Sequence, residues 1–182
     1  MRLLPYERFV IKTHLNPNSV LSKIEGITET TGRISLFSTE ERKPYWGKFK
    51  DNRFNINRRI HFRNSFLPVI KGRVNLDVNG SIIMVTMQLE ILVIIVLCIW
   101  FGGILYSFPR LFIELYELAR SGEFSTVNMA GFALPLGLLL FGYLVVMIAF
   151  KYEAMNSKAV LTNLLEAQQV IELGLFETEL NT

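Results

Sequence analysis

The sequence predicts an α+β domain joined to a pair of membrane-spanning helices, and three observations lead to this prediction. Two long segments without a charged residue lie in the second half of the chain. Turn signals in the first half lie between alternating apolar and polar residues, as in β-hairpins. Apolar residues at helical spacing follow the second uncharged segment.

The uncharged segments are residues 91–108 and 129–150. As helices they would be roughly 27 and 33 Å long, against a bilayer hydrocarbon core of about 30 Å. We therefore expect a transmembrane hairpin over residues 89–150, with residues 109–128 exported. Residues 109–123 predict either an interfacial amphipathic helix or an extension of the first span kinked at Pro109. Small residues at 102, 103, 133 and 137 are expected to pack the two spans together.

Residues 1–88 predict a strand-rich cytoplasmic domain. Residues 8–15 alternate as a strand, and the segment after Asn16 predicts a short helix capped by Asn16 or Ser19. About five strands follow this helix.

Two hairpins in this domain can be placed in register. The Asn79-Gly80 pair is a strong signal for a two-residue turn, which would place Leu76 opposite Ile83. The Asp51-Asn52 pair predicts a second turn, with Phe49 opposite Phe54 and Tyr45 opposite Arg58.

Residues 151–182 predict a cytoplasmic C-terminal helix that packs on the sheet. Its apolar stripe is expected at Val160, Leu164, Ala167 and Ile171, widened by Leu161 and Leu165. An antiparallel sheet with a short early helix and a C-terminal helix is typical of helix-grip domains, and a pleckstrin-homology-like barrel is the alternative. Such fold-level analogies carry no function by themselves.

Charge is unevenly distributed along the chain and favours one orientation in the membrane. Residues 1–90 hold 15 Lys and Arg against 8 Asp and Glu, whereas residues 151–182 hold 2 against 5. The segment between the spans holds only Arg110 and Arg120 as cations. Because Lys and Arg favour the cytoplasmic side, we expect both termini in the cytoplasm, although Arg110 weakens this argument.

Arg58 interrupts an otherwise apolar strand face made by Phe54, Ile56, Ile60 and Phe62. An unpaired buried charge is costly, so this guanidinium needs a partner. One interpretation is an anion or lipid ligand bound between sheet and helix by Arg58, Tyr45 and Arg63. The other is an internal ion pair, or a bulge that turns Arg58 outward. Among the carboxylates of the C-terminal helix, Glu166 is the expected partner.

The opposite strand face is basic, and its residues are expected to lie near the membrane surface. Cations close to a span can bind anionic headgroups, at about 1 kcal/mol each. A basic sheet with aromatic residues could also bind nucleic acid, but membrane attachment makes headgroups the nearer partner, and no nucleic acid is expected. A plain solvated face is the third interpretation. The face comprises Lys48, Lys50, Arg53, Arg59, Lys71 and Arg73.

No pattern in the sequence indicates an enzyme. It contains no glycine-rich nucleotide loop, nucleophile motif or metal-ligand cluster, and neither apolar segment holds an ionisable relay residue. Cys98 is the single cysteine, and His14 and His61 lie far apart in sequence. We therefore expect no catalytic residue, metal or cofactor. The expected role is a binding module for a lipid or small apolar ligand, with an accessory or scaffold subunit of a membrane protein complex as the alternative.

Several segments together resemble a family of small uncharacterised bacterial membrane proteins, found mainly in cyanobacteria. The resemblance covers most of the chain, and the Arg-Asn-Ser-Phe-Leu-Pro run at residues 63–68 is its most distinctive part. It implies a two-span membrane protein and carries no activity, cofactor or substrate. The other matching segments are residues 4–9, 45–48, 52–56, 153–154, 157–158 and 164–167.

Overall fold

A computed structural model of the chain describes residues 4–30, 43–59, 66–121 and 129–173. The chain forms two compact units. The sheet unit consists of Met1–Glu90 with Ala149–Thr182, and the helical unit consists of Ile91–Ile148. The predicted α+β class is confirmed, and two helices are long and apolar enough to cross a membrane.

Within the described residues, seven strands and three helices follow one another along the chain. They are β1 (Tyr6–Thr13), α1 (Pro17–Ile27), β2 (Thr28–Thr30), β3 (Tyr45–Lys50), β4 (Arg53–Arg58), β5 (Val69–Asp77), β6 (Gly80–Gln88), α2 (Ile91–Ser121), α3 (Met129–Leu164) and β7 (Gln169–Glu172).

The strands form one mixed sheet in the order β2-β3-β4-β5-β6-β1-β7. The expectation of an antiparallel sheet is wrong at one edge, where β2 runs parallel to β3. Parallel neighbours need a connection of about a dozen residues or more. Residues 31–44 separate these two strands and provide that length.

The β3–β4 hairpin has the predicted register. The turn lies at Asp51 and Asn52, Phe49 is opposite Phe54, and Tyr45 is opposite Arg58. Asp51 adopts a φ of 53°, in the left-handed region that Asp tolerates better than most residues.

The β5–β6 register differs from the prediction by two residues. Asp77 is opposite Gly80, so Val78 and Asn79 form the turn, and Leu76 is opposite Ser81. The Asp77 carboxylate accepts a hydrogen bond from the Val78 N–H at 2.9 Å. Gly80 lies inside β6 at a φ of 142°, where a Cβ would approach the Thr13 carbonyl oxygen to 2.1 Å. A two-residue shift leaves every side chain on its predicted face.

One sheet face, called the inner face, carries the core of the sheet unit. Ile56, Ile70, Ile83 and Met87 are fully buried on it. Phe54 lies opposite Gly72 across β4 and β5, and a Cβ on Gly72 would approach the Phe54 ring to 2.0 Å. The glycine therefore leaves the space that the phenyl ring occupies.

Helix α1 covers part of this core with Val20 and Ile24. Of the two predicted caps, Asn16 is the one that the structure shows. Its side chain accepts a hydrogen bond from the Ser19 N–H at 2.8 Å, and Pro17 begins the first turn.

The C-terminal part of the chain buries a stripe that shares only Leu161 and Leu165 with the predicted one. Side chains spaced by three or four residues are fully buried along it, whereas Val160 is 38% exposed. The helix ends at Leu164, and residues 169–172 form β7 beside β1, so the prediction of a helix through Ile171 is wrong. Lys158 reaches back to pair with Glu172 and lies 5.1 Å from the centre of the Phe9 ring. The buried stripe comprises Phe150, Ala154, Ser157, Leu161 and Leu165.

The helical unit contains α2 and the first part of α3. Helix α2 continues past Pro109 to Ser121, which agrees with the predicted extension of the first span. Gly142 is the point of close approach, since a Cβ there would lie 2.1 Å from the Trp100 ring. A Cβ added at Gly102, Gly103 or Gly137 would have no neighbour within 4 Å. The expectation that these glycines pack the two spans together is therefore wrong.

Most apolar side chains that the structure describes in this unit are exposed or partly exposed. Ile99 is 71% exposed and Phe141 is 66% exposed. Core helices of soluble proteins bury such residues, whereas a bilayer would cover them.

Candidate functional site

The inner face carries a polar cluster where β3 begins and β4 ends, away from the turn that joins them. It is formed by Arg58, Tyr45, Glu153 and Ser157. Strand register places Arg58 opposite Tyr45. Helical spacing places Glu153 and Ser157 one turn apart on α3, beside the apolar stripe. Polar groups from two strands and one helix thus meet within a largely apolar layer.

Arg58 and Glu153 form the ion pair of this cluster. The Arg58 Nη1 donates to the Glu153 Oε2 at 2.7 Å. The Arg58 side chain is 29% exposed and the Glu153 side chain 11% exposed. Of the interpretations left open by the sequence, the structure contains the internal ion pair.

The prediction that Glu166 is the partner of Arg58 is wrong. Glu166 lies beyond the last residue of α3, at a φ of 50°, and pairs with Lys23 of α1. Because the helix has already ended, Glu166 cannot share the helix face that carries Glu153. The Lys23 ammonium lowers the pKa of the Glu166 carboxyl.

Two hydroxyl groups of the cluster are buried without a partner. Neither the Tyr45 Oη nor the Ser157 Oγ has a neighbour that meets the geometry of a hydrogen bond within the described part of the chain, although Ser157 is near enough to affect the pKa of the phenol. Burial raises the pKa of the Tyr45 phenol, the Ser157 hydroxyl and the Arg58 guanidinium act in the opposite direction, and Glu153 adds to the rise. The phenol therefore remains neutral over the ordinary pH range.

The two charged groups of this cluster, Arg58 and Glu153, neutralise each other. Its single carboxylate is held by a guanidinium, and no nucleophile with an adjacent base is present among its four members. Across the described ranges, no three His, Cys, Asp or Glu side chains lie close enough to hold a metal ion. An external anion at Arg58 would have to compete with Glu153.

The second feature is the opposite sheet face, called the basic face. Strand register arranges its cations in two rows across β3, β4 and β5. One row contains Lys50, Arg53 and Arg73, and the next contains Lys48 and Lys71 on either side of Asn55. All five cations are exposed, and none forms an ion pair in the part of the chain that the structure describes.

Two other arginines that the sequence assigns to the predicted sites, Arg59 and Arg63, are not among these five cations. Arg59 follows β4 and pairs with Glu29 of β2, with an Nη1–Oε2 distance of 2.6 Å. It is therefore a neutralised cation at the sheet edge. Arg63 lies outside the described residues.

A groove crosses one row of the basic face at the β3–β4 turn. Its volume is about 470 Å³. The three cations of the Lys50–Arg53–Arg73 row lie along it, together with Asp51 of the turn. The remaining lining residues are Asn52, Val74 and Asn75.

No family model, curated protein or solved structure matches the chain. The chemistry of the two sites is therefore the basis for assigning a function.

Glu153 and Ser157 are the site residues that sequence reasoning missed. Both lie on α3 beside fully buried Ala154 and Leu161. A stripe begun at Phe150, the last apolar residue of the second uncharged segment, would have passed through Ala154 and Ser157. The predicted stripe begins only at Val160, seven residues after Glu153, and therefore leaves out the part of α3 that carries both residues.

Proposed function

We propose that the protein is a membrane-anchored, non-enzymatic binding module whose basic face binds anionic lipid headgroups. The observation that carries this proposal is the set of five exposed cations without an ion pair in the described residues, on adjacent strands of one sheet. Like charges directly opposite each other on neighbouring strands are destabilising. A bound anion would offset this cost.

The tether supports headgroups over other polyanions. Only Leu89 and Glu90 separate β6 from α2, the first helix long enough to span a membrane. If α2 enters the bilayer, the sheet unit remains at its surface, where the effective concentration of headgroups is high. Each cation near such a surface contributes about 1 kcal/mol.

The proposed orientation places both termini and the sheet unit in the cytoplasm. Its support is the excess of Lys and Arg in residues 1–90. Anionic lipids give the cytoplasmic leaflet its negative surface potential, so this orientation brings the basic face to the matching charge.

An apolar ligand held between sheet and helix, as in a helix-grip domain, has less support. The α3 stripe and the inner-face residues beneath it are fully buried side chains, including Phe150, Leu161 and Ile56. Such a ligand would have to displace them. The pleckstrin-homology-like alternative has no observation in its favour beyond the same sheet and helix.

The second candidate is an accessory or scaffold subunit of a membrane protein complex. It is favoured by exposed apolar residues on the part of α2 beyond Pro109. Phe112 is 61% exposed and Tyr116 is 69% exposed. Exposed apolar patches of this kind are typical of protein or membrane contacts.

The test measures short-chain lipid binding to the purified full-length protein in detergent. Dioctanoyl phosphatidylglycerol should bind more tightly than the zwitterionic phosphatidylcholine of the same chain length, and added salt should weaken the difference. Replacing Lys48, Arg53, Lys71 and Arg73 with glutamine should abolish it. Equal binding of the two lipids would reject headgroup binding. A stoichiometric protein that co-purifies with both the natural protein and this variant would favour the subunit role.

A further inference from the structure

The two rows of the basic face are chemically different, and the difference points to a more specific ligand. In one row, Asn55 separates Lys48 from Lys71. In the other, Lys50, Arg53 and Arg73 are consecutive neighbours across three strands. Directly opposite residues on neighbouring antiparallel strands have Cβ atoms about 4.5–5.5 Å apart. The Cβ atoms of these three cations thus lie in a line about 10 Å long.

Only this second row is associated with the groove. The groove is lined by all three of its cations and by neither Lys48 nor Lys71. With the Asp51 carboxylate included, the lining carries a net charge of two positive. The side chains of Asn52 and Asn75 add amide groups that can donate hydrogen bonds.

We propose that this groove binds a phosphate monoester in its dianionic form. This inference rests on the proposed function and names the headgroup class that the basic face would select. A phosphate monoester carries a charge of about −1.5 to −2 at pH 7, which matches the lining, whereas a phosphodiester headgroup carries −1. Paired guanidinium groups are suited to it because each can donate two parallel hydrogen bonds to phosphate oxygens.

Asp51 limits what the groove accepts. A carboxylate beside the cations repels an anion that fills the whole groove, and it leaves Arg53 and Arg73 as the pair that receives the phosphate. The volume of about 470 Å³ exceeds that of a phosphate group alone. The groove therefore has room for the atoms to which the phosphate is esterified.

The experiment compares three probes on the full-length protein in detergent. Dioctanoyl phosphatidic acid presents a phosphate monoester on a lipid, dioctanoyl phosphatidylglycerol presents a phosphodiester, and inorganic phosphate presents the dianion without a lipid. Affinities are measured for the natural protein, for Arg53→Gln/Arg73→Gln, and for Lys48→Gln/Lys71→Gln. The second double variant removes the same charge from the same face outside the groove.

Phosphatidic acid should bind the natural protein at least about fivefold more tightly than phosphatidylglycerol. The Arg53→Gln/Arg73→Gln variant should lose at least about tenfold in affinity for phosphatidic acid and should lose the preference, since each cation is worth about fivefold. The Lys48→Gln/Lys71→Gln variant should weaken both lipids but keep the preference. Inorganic phosphate that binds as tightly as phosphatidic acid, with the same dependence on the two arginines, would identify a soluble phosphate monoester as the ligand.

Two results would overturn the inference in different ways. If both anionic lipids bind equally and both double variants weaken them equally, the groove has no selectivity, while headgroup binding by the basic face stands. If neither anionic lipid binds better than phosphatidylcholine, the inference and the proposed function fail together.

Discussion

Arg58 is stabilised by one carboxylate, and this dependence makes it the most sensitive position of the polar cluster. Replacing Arg58 with alanine should lower the free energy of unfolding by about 3 kcal/mol, because Glu153, with an 11% exposed side chain, would lose its partner. Denaturant unfolding of the purified protein in detergent measures this loss.

Arg59→Ala is the matched control for this substitution. Arg59 is the next residue and also pairs with a carboxylate, but its side chain is 38% exposed and that of Glu29 is 37% exposed. Exposed pairs of this kind contribute about 0–1 kcal/mol. Adding Glu153→Ala to Arg58→Ala should cost less than the sum of the two single changes. Equal losses for Arg58→Ala and Arg59→Ala would show that Glu153 does not depend on Arg58.

Tyr45 should make the sheet unit sensitive to alkaline pH. Burial raises the pKa of its phenol above the usual value of 10.0. The folded protein therefore keeps this proton at pH values where the unfolded chain has lost it, and stability decreases as the pH rises above about 10. Below that pH the contribution is fully present.

Tyr45→Phe isolates this effect. At neutral pH it should change stability by under about 1 kcal/mol, because the hydroxyl that it removes has no hydrogen-bond partner. Between pH 9 and 11 the natural protein should lose stability relative to the variant, as measured by thermal unfolding. Parallel stability curves for the two proteins would mean that the pKa of the phenol is the same in the folded and the unfolded chain.

Among the individual residues, the alternation of side chains along the strands predicts two of the four members of the polar cluster, Arg58 and Tyr45. Alternation along β4 and the Asp51-Asn52 turn place Arg58 on the inner face opposite Tyr45, as the structure shows. The carboxylate partner depends on the rotation of α3 about its axis. The predicted stripe starts only at Val160, and two turns further back along the same helix face it would reach Glu153, whereas Glu166 lies beyond the end of α3.

Among the elements, the helices of the helical unit require a small residue at one point. Gly142 of α3 lies against Trp100 of α2, where a Cβ would approach the ring to 2.1 Å. Gly142→Leu should therefore destabilise the unit by about 1–3 kcal/mol through overpacking. Thermal unfolding in detergent would measure the change.

Gly137→Leu provides the comparison within the same helix. A Cβ at Gly137 has no neighbour within 4 Å, so leucine should be accommodated with little loss. If both substitutions destabilise the protein equally, the cause is the replacement of glycine in this helix and not the contact with Trp100.

The elements that the sequence misplaces are those decided by distant contacts. The β5–β6 turn falls at Val78 and Asn79 because Gly80 is required where β1 ends, at the Thr13 carbonyl. The prediction of a helix through Ile171 fails because residues 169–172 pair with β1, more than 150 positions earlier. Local sequence signals for turns and helices carry no information about either of these contacts. The α1 cap and the β3–β4 turn are local. The turn is predicted correctly, and the cap is one of the two predicted residues.

At the scale of the whole molecule, two apolar helices interrupt the sheet unit in sequence. Strand β6 leads into α2, and the chain returns through α3 to supply Glu153 and the edge strand β7. The sheet unit is thus completed by residues from both sides of the helical unit. If the two helices form a transmembrane hairpin, residues 1–90 and 149–182 must lie on the same side of the bilayer.

The last prediction concerns this orientation. Reporter fusions after residue 88 and after residue 175 should both report the cytoplasm, and a fusion near residue 122 should report the opposite side. The shared side for the first two follows from the Arg58–Glu153 pair and from the β1–β7 pairing, which join the two ends of the chain in one fold. The choice of the cytoplasm follows from the 15 Lys and Arg of residues 1–90. Fusions 88 and 175 on opposite sides would contradict the fold itself, whereas both outside would contradict only the charge argument.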